Sequence, residues 1–153
     1  MEKVGFDRIK NILKEVSFFE EFEDNELDFF SKQLSLQAVP KGTVLFSEEE
    51  IGDYLFFIVE GSVEVRLETT RAKHIIATYG FGHCVGEMAL VDDYPRSATV
   101  LVNEPSELLI LTKKRMEHMV KKNPILGVKI YKGLAKNLSL RLRRTAGRFS
   151  DLA

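Results

Sequence analysis

The chain has 153 residues, 44% of them apolar, which suffices for one domain with a packed core. Its 22 basic and 23 acidic residues nearly cancel, so whole-chain charge points to neither nucleic acid nor a membrane surface. A lone Cys84 excludes an internal disulfide, no apolar run approaches the roughly 18 residues a membrane helix needs, and Met1–Asp7 lacks the pattern of a signal peptide, so the expectation is a soluble cytoplasmic protein or a piece of a larger one.

Taken in chain order, Ile9, Ile12, Leu13 and Val16 fall at helical spacing, which predicts a helix over Phe6–Val16. Asp24 is the expected N-cap of a second short helix that runs to Leu34, with Leu27, Phe30 and Leu34 on one face. Pro40-Lys41-Gly42 is a turn, and after it the texture becomes β-rich. Strands are predicted at Thr43–Phe46, Tyr54–Val59, Val63–Leu67, His74–Tyr79, Ala98–Val102 and Leu108–Leu111. Short, closely spaced strands with Gly- or Pro-containing turns argue an antiparallel sandwich or barrel rather than a parallel sheet. From Lys113 the pattern is helical again, and Pro124 opens a new helix that nothing interrupts until about Arg144. The order of helices, strands and helices predicts an α+β domain with its helical parts on one side of the sheet. Tyr131, Leu134 and Leu138 could form a short seam, which reads better as core packing than as a coiled coil.

Charge is unevenly distributed. Acids crowd the N-terminal part (Glu15, Glu20, Glu21, Glu23, Asp24, Glu26, Asp28), while Lys129, Lys132, Lys136, Arg141, Arg143, Arg144 and Arg148 crowd the C-terminal part. The basic run reads either as a solvated helix with cations suited to the negative end of its dipole, or as a face for an anion or acidic partner; the first is preferred.

The densest chemistry lies in Gly86–Val100. Gly86 lets the backbone approach a ligand closely or take a positive φ. Glu87-Met88-Ala89-Leu90 can form one helical turn whose first amides point outward and suit an anion. Pro95 ends the excursion and Arg96-Ser97 follow. Arg96 offers a planar fork of donors matched to phosphate oxygens, Ser97 a hydroxyl, and Glu87 an acceptor for a sugar hydroxyl. Together these residues suit a small phosphorylated sugar. Gly80-Phe81-Gly82-His83-Cys84-Val85-Gly86 does not form a dinucleotide loop, because its spacing is one residue too long and no βαβ unit surrounds it. His83 and Cys84, adjacent in extended chain, face apart and cannot readily form a catalytic dyad. His74, His83, His118 and Cys84 lack metal-ligand spacing. No nucleophile–base pair suggests a hydrolase, and no enzyme activity, cofactor or metal is expected.

The pattern G-E-x-A-L, then R-S-A-T-V, resembles the phosphate-binding segment of the cyclic-nucleotide-binding domain family, which includes catabolite activator regulators, kinase regulatory subunits and gated channels. Val39–Phe46, Gly52–Val65 and Asn123-Pro124 support the resemblance. It implies one domain: N-terminal helices (1–36), an antiparallel β-roll, or jelly-roll-like double-stranded barrel (37–112, with the phosphate-binding segment at 84–98), and C-terminal helices (113–148) ending in a long helix. It further implies that Glu87 accepts from the ribose 2′-hydroxyl and that Arg96 pairs with the exocyclic phosphate oxygens. Ser97 and the amides near Gly86, Met88 and Ala89 would complete the cradle, and Val85, Ala98 and Val100 would line the apolar wall. Arg141 and Leu142, on the last helix, would reach the base.

The implied function is a regulatory sensor that binds cyclic AMP, favoured over cyclic GMP, with ligand-linked movement of the C-terminal helix. The alternative is a ligand-free structural or interaction domain of the same fold. The C-terminal helix also offers a route to homodimerisation or to an unknown protein partner. No helix-turn-helix module follows, so direct DNA binding is not expected. Two departures from the family stand out. The turn before Gly52-Asp53, often Glu-Gly in the family, is here the run Glu48-Glu49-Glu50-Ile51, expected to be reshaped but away from the phosphate-binding segment. His83 stands where family members often have Asp.

Overall fold

Ile9 and Leu13 bury one face of the first helix, α1 (Glu2–Lys14), as the spacing predicts. The structure is a computed structural model that describes residues 2–68, 73–92 and 95–152, without the side chains of 2–4, 68, 73, 89 and 148–152. A 3₁₀ turn (Ser17–Phe19) leads to α2 (Asp24–Ser31). The N-cap is Glu23 rather than Asp24, because Glu23 and Glu26 form a reciprocal capping box in which the Glu23 amide donates to Glu26 Oε1 at 2.9 Å. Asp24 instead accepts from Lys10 Nζ at 2.8 Å and lies 3.6 Å from Lys14 Nζ.

Eight strands make two antiparallel sheets. β1 (Ser35–Val39), β3 (Tyr54–Glu60), β6 (Cys84–Val85) and β8 (Ser106–Thr112) form the first, in the order β1-β8-β3-β6. β2 (Val44–Phe46), β4 (Val63–Glu68), β5 (Lys73–Tyr79) and β7 (Thr99–Val102) form the second, in the order β2-β7-β4-β5. The fold is α+β with a jelly-roll-like pair of sheets, and those sheets are not closed into a barrel.

The first sheet is covered on both faces. Along β3, Leu55 and Phe57 face the helices, while Phe56 and Ile58 face the second sheet. Both sets are buried, so β3 reads as an unbroken apolar run. In β6 the same alternation sends Cys84 to the helix side and Val85 to the interior between the sheets.

A short helix, α3 (Met88–Val91), joins β6 of the first sheet to β7 of the second. After β8 come α4 (Lys113–Lys122) and α5 (Pro124–Leu152). Asn123 Oδ1 accepts from the Leu126 amide at 3.2 Å and starts α5. The buried stripe of α5 is Leu126, Ile130 and Leu134. Tyr131 is 44% exposed, so of the expected seam Leu134 alone is fully in the core.

The basic run does face an acidic surface, but one within the same chain. The basic face of α5 meets the acidic N-terminal segment: Lys129 pairs with Glu26, and Lys132 and Lys136 reach Glu21 at 3.2 and 3.6 Å. Burial would push the Glu26 carboxyl up, but the Lys129 ammonium and the Glu23 amide outweigh it and hold it below its usual value. The acid and base runs lie about a hundred residues apart in sequence and become neighbours only when α5 packs on the N-terminal helices.

Candidate functional site

The segment from Cys84 to Thr99 crosses from one sheet to the other, and Asp93 and Tyr94 within it lie outside the described residues. It begins at β6, where Val85 pairs with Phe56, and turns at Gly86. Gly86 has φ 92°, which disfavours any side chain. Space forbids one as well, since a Cβ there would stand 2.7 Å from Phe46 Cε2 and 3.0 Å from Arg96 Nη1. Glu87 then caps α3, where the Leu90 and Val91 amides donate to its carbonyl at 3.1 and 3.3 Å. The amides of Met88 and Ala89 precede those bonds in the first turn. The side chain of Ala89 lies outside the described residues, and that of Met88 is about half exposed.

Arg96 turns inward and is 6% exposed. Its Nη1 donates to the Gly86 carbonyl at 2.9 Å and its Nη2 to the Tyr54 carbonyl at 2.6 Å. Its Cζ lies 3.5 Å from the centroid of the Phe46 ring, a cation–π stack, with the Tyr54 ring at 5.6 Å. Gly52 makes this possible, because a Cβ there would collide with Arg96 Cζ and Nε. Burial lowers the pKa of Arg96, opposed by Tyr54, Asp53, Glu87 and Glu50, and the group stays a cation. Among the described residues, no carboxylate hydrogen-bonds to this guanidinium.

Its main chain is fixed by the turn that the sequence placed elsewhere. The Arg96 amide donates to the Glu50 carbonyl at 2.6 Å, the Glu49 amide donates to the Arg96 carbonyl at 2.9 Å, and Ile51 bridges to Pro95. The run Glu48–Ile51 therefore lies against the segment, not away from it. Within it Glu49 takes φ 71°, the left-handed conformation that a Gly would take readily.

Glu87 is 1% exposed and is held from α5. Asn137 Nδ2 donates to Glu87 Oε1 at 3.1 Å, and Arg141 Nη1 donates to the same oxygen. Arg141 Nη2 also donates to the Cys84 carbonyl, and Arg141 Cζ lies 4.6 Å from the Tyr79 ring centroid. The structure thus brings Gly86, Glu87, Arg96 and Arg141 together. Val85 and Val100 are buried between the sheets, and Ala98 is partly buried. Ser97 is exposed. Leu142 is 71% exposed and is not drawn in with Arg141, one residue before it on the helix.

Sequence reasoning missed Phe46, Gly52, Tyr54 and Asn137. Phe46 and Tyr54 looked like ordinary strand residues, and Asn137 lies fifty residues from its partner. The turn residue His83 rests against Tyr79 with ring centroids 5.0 Å apart, and burial together with Arg141 and Arg144 lowers its pKa. Burial pushes the Cys84 thiol well up, which leaves it a poor nucleophile. Among the described residues, no group of His, Cys, Asp and Glu could hold a metal, and no helix is long and apolar enough to cross a membrane.

An anion-suited turn beside a buried guanidinium and carboxylate is the local geometry, and residues 36–123, more than half of the chain, match the profile of the cyclic nucleotide-binding domain. The chain belongs to the cyclic nucleotide-binding domain family. It is similar to the cAMP-dependent protein kinase regulatory subunit of Mycosarcoma maydis, 33% identical over 91 residues, 60% of this chain and 17% of that protein. It is similar as well to the cAMP-activated global transcriptional regulator of Haemophilus influenzae, 30% identical over 132 residues, 85% of this chain and 57% of that one. The chain spans less than two thirds of the length of either relative. In structure it resembles a cyclic nucleotide-binding domain from Methylobacillus flagellatus, with a TM-score of 0.85 and 28% identity, covering 97% of this chain and 84% of that one. In this cyclic nucleotide-binding domain, the two charged groups expected to grip ligand are both buried, and both are held by the protein itself.

Proposed function

We propose that this chain is a regulatory sensor module, not an enzyme, that binds a cyclic nucleotide, cyclic AMP in preference to cyclic GMP. The observation that carries this reading is the buried Arg96 guanidinium, whose acceptors among the described residues are two neutral carbonyls. A buried cation without an anionic partner is poorly compensated. A cyclic phosphodiester would give the guanidinium an ionised acceptor, which it does not hydrogen-bond among the described residues, and hydrogen bonds between ionised partners are roughly twice as strong as neutral ones. Arg96 exchanges the Gly86 carbonyl for phosphate oxygens. Ser97, which is exposed, and the amides of Met88 and Ala89 close around the same group. Glu87 accepts from the ribose 2′-hydroxyl, and Val85, Ala98 and Val100 pack beside the sugar and base. Ligand binding shifts α5 between two positions, because α5 touches Glu87 directly. The preference for cyclic AMP rests on the ligand named in the relatives.

A second reading, a domain that keeps the fold as a structural or interaction module, is favoured by the same internal bonds on Arg96 and Glu87. Calorimetry with cyclic AMP and cyclic GMP separates the two. The sensor binds below millimolar concentration, and Arg96→Ala weakens binding by about 30-fold to several thousand-fold, the effect of truncating one partner of a buried charge pair, about 2–5 kcal/mol. No heat from either nucleotide at millimolar concentration would establish the second reading. Unchanged affinity in Arg96→Ala would remove Arg96 from the site.

A further inference from the structure

We infer that the cleft between the N-terminal segment, the turn Gly80–His83 and α5 is a second ligand site, one for a free α-amino acid with a large apolar side chain. The cleft holds about 420 Å³, within the range of small-ligand pockets, and lies on the helix side of the first sheet, where Cys84 faces. Arg96 does not line it, since its guanidinium sits on Phe46 at the other face of that sheet. Gly133 brings α5 so close to the 3₁₀ turn that a Cβ would stand 2.7 Å from the Phe18 ring. Away from that contact the apolar lining is open, with Phe81 and Leu140 52% and 55% exposed. Phe81 is held at the tip of its turn by Gly82, which takes φ 83° and whose amide donates to the Ile58 carbonyl at 2.8 Å.

The charges along the cleft are sorted by wall. Glu15, Glu20 and Glu21 line the N-terminal wall, and Lys132, Lys136 and Arg144 line the α5 wall. The two other cations on α5 there are engaged from outside the cleft, Lys129 by Glu26 and Arg141 by Glu87. The walls meet at one point, where Lys132 and Lys136 reach Glu21 at 3.2 and 3.6 Å. Glu15, Glu20 and Arg144 make no ion pair among the described residues. Acid is therefore left over on one wall and base on the other, beside exposed Phe81 and Leu140. A ligand with a single charge leaves one wall uncompensated. A zwitterion serves both: its carboxylate takes Arg144 and Lys136, its ammonium takes Glu15 and Glu20, and its side chain covers Phe81 and Leu140. An α-amino acid bears both charges on one carbon, so it spans the short gap between walls that the Glu21 pairs already bridge.

The test titrates the full chain with L-phenylalanine and L-leucine, and with hydrocinnamate and phenethylamine, each of which keeps the ring of phenylalanine and lacks one of its two charges. Histidine ring resonances read the site, because His83 lines the cleft while His74 and His118 do not and serve as controls. Both amino acids are expected to shift His83 alone at millimolar concentration. Each single-charge analogue is expected to bind about fivefold more weakly than L-phenylalanine, the size of one exposed charge contact. In Arg144→Ala, L-phenylalanine should fall to the level of phenethylamine, and in Glu15→Gln combined with Glu20→Gln to that of hydrocinnamate. These three side chains are exposed, so their replacement spares the fold. Arg96→Ala should change none of this, whether or not the chain binds a cyclic nucleotide. If neither amino acid moves His83, the site is overturned. If either single-charge analogue binds as tightly as L-phenylalanine, the zwitterionic ligand is overturned. Variants that keep the parent's full discrimination among the three ring compounds overturn the assignment of the two walls.

Discussion

Two apolar regions share the first sheet, and they are built differently. On the helix side, Phe19 packs against Phe18, Phe22, Phe30 and Phe57 with ring centroids 4.9 to 5.2 Å apart. Between the sheets the buried set is mostly aliphatic, and its buried ring Phe46 lies under the Arg96 guanidinium at 3.5 Å. Edge-to-face rings are stiff, area-rich and add to stability beyond simple burial. A cation on a ring face, bonded to neutral carbonyls, is an arrangement an anion can rearrange. The contrast puts stability mainly on the helix side, and on the sensor reading proposed above it would put the response to a phosphate at Arg96, on the Phe46 ring between the sheets.

The largest expected effect tests the first half of that assignment. Phe30 is fully buried and touches Phe19 and Phe22. Phe30→Ala is expected to lower stability by about 3–5 kcal/mol, the usual range for a fully buried Phe. A denaturant titration reads the loss, and cyclic-nucleotide affinity of the folded fraction should stay within about twofold, since Phe30 contacts nothing in the site. A large change in affinity at constant fold would erase the division between the two regions.

Gly86→Ala is expected to do the reverse. The substitution forces a methyl into φ 92° and against Phe46 and Arg96. Backbone strain of this kind costs about 1–3 kcal/mol, less than the loss expected for Phe30→Ala. The affinity loss, in contrast, should exceed that of Phe30→Ala, because the methyl displaces both the guanidinium and the first amides of α3. Calorimetry and denaturant titration on the same preparation give both quantities. Equal affinity in the two variants would mean that the interior between the sheets has no special part in binding.

The sequence made much of this legible, and most of the failures are contacts across the fold. Periodicity, composition and turn residues found α1, six of the eight strands (all but β1 and β6), the turn at α3 and the start of α5, because each is written in neighbouring residues. Gly86, Glu87 and Arg96 were legible as a set because eleven residues of sequence hold all three. β1 was not, since its Ser-Leu-Gln-Ala-Val alternation is weak and its pairing with β8 supplies the order. β6 escaped because two residues are too few to show a period. The N-cap was misplaced by one residue because the adjacent acids Glu23 and Asp24 compete for it, and Lys10 takes Asp24 away. The complementary charge of α5 and the N-terminal segment, the bed that Gly52 provides for Arg96, and the hold of Asn137 on Glu87 are all contacts across the fold. No local pattern encodes them.

The turn Glu48–Ile51 shows the same limit and gives the smallest expected effect. Sequence comparison marked it as a departure, but its closeness to Arg96 emerged only in the fold. Glu49 sits at φ 71° where a non-glycine residue is disfavoured by about 1–2 kcal/mol. Glu49→Gly relieves that strain, while the added freedom of glycine in the unfolded chain returns part of the gain. A net stabilisation of roughly 0.5–1 kcal/mol is therefore expected in denaturant titration. The backbone bond from Glu49 to the Arg96 carbonyl does not depend on the side chain, so nucleotide affinity should hold. If stability rose and affinity fell together, the strain at Glu49 would be part of what aims Arg96. The interior between the sheets would then trade stability for ligand response at this turn, which the helix side, with its ring-on-ring packing, does not do.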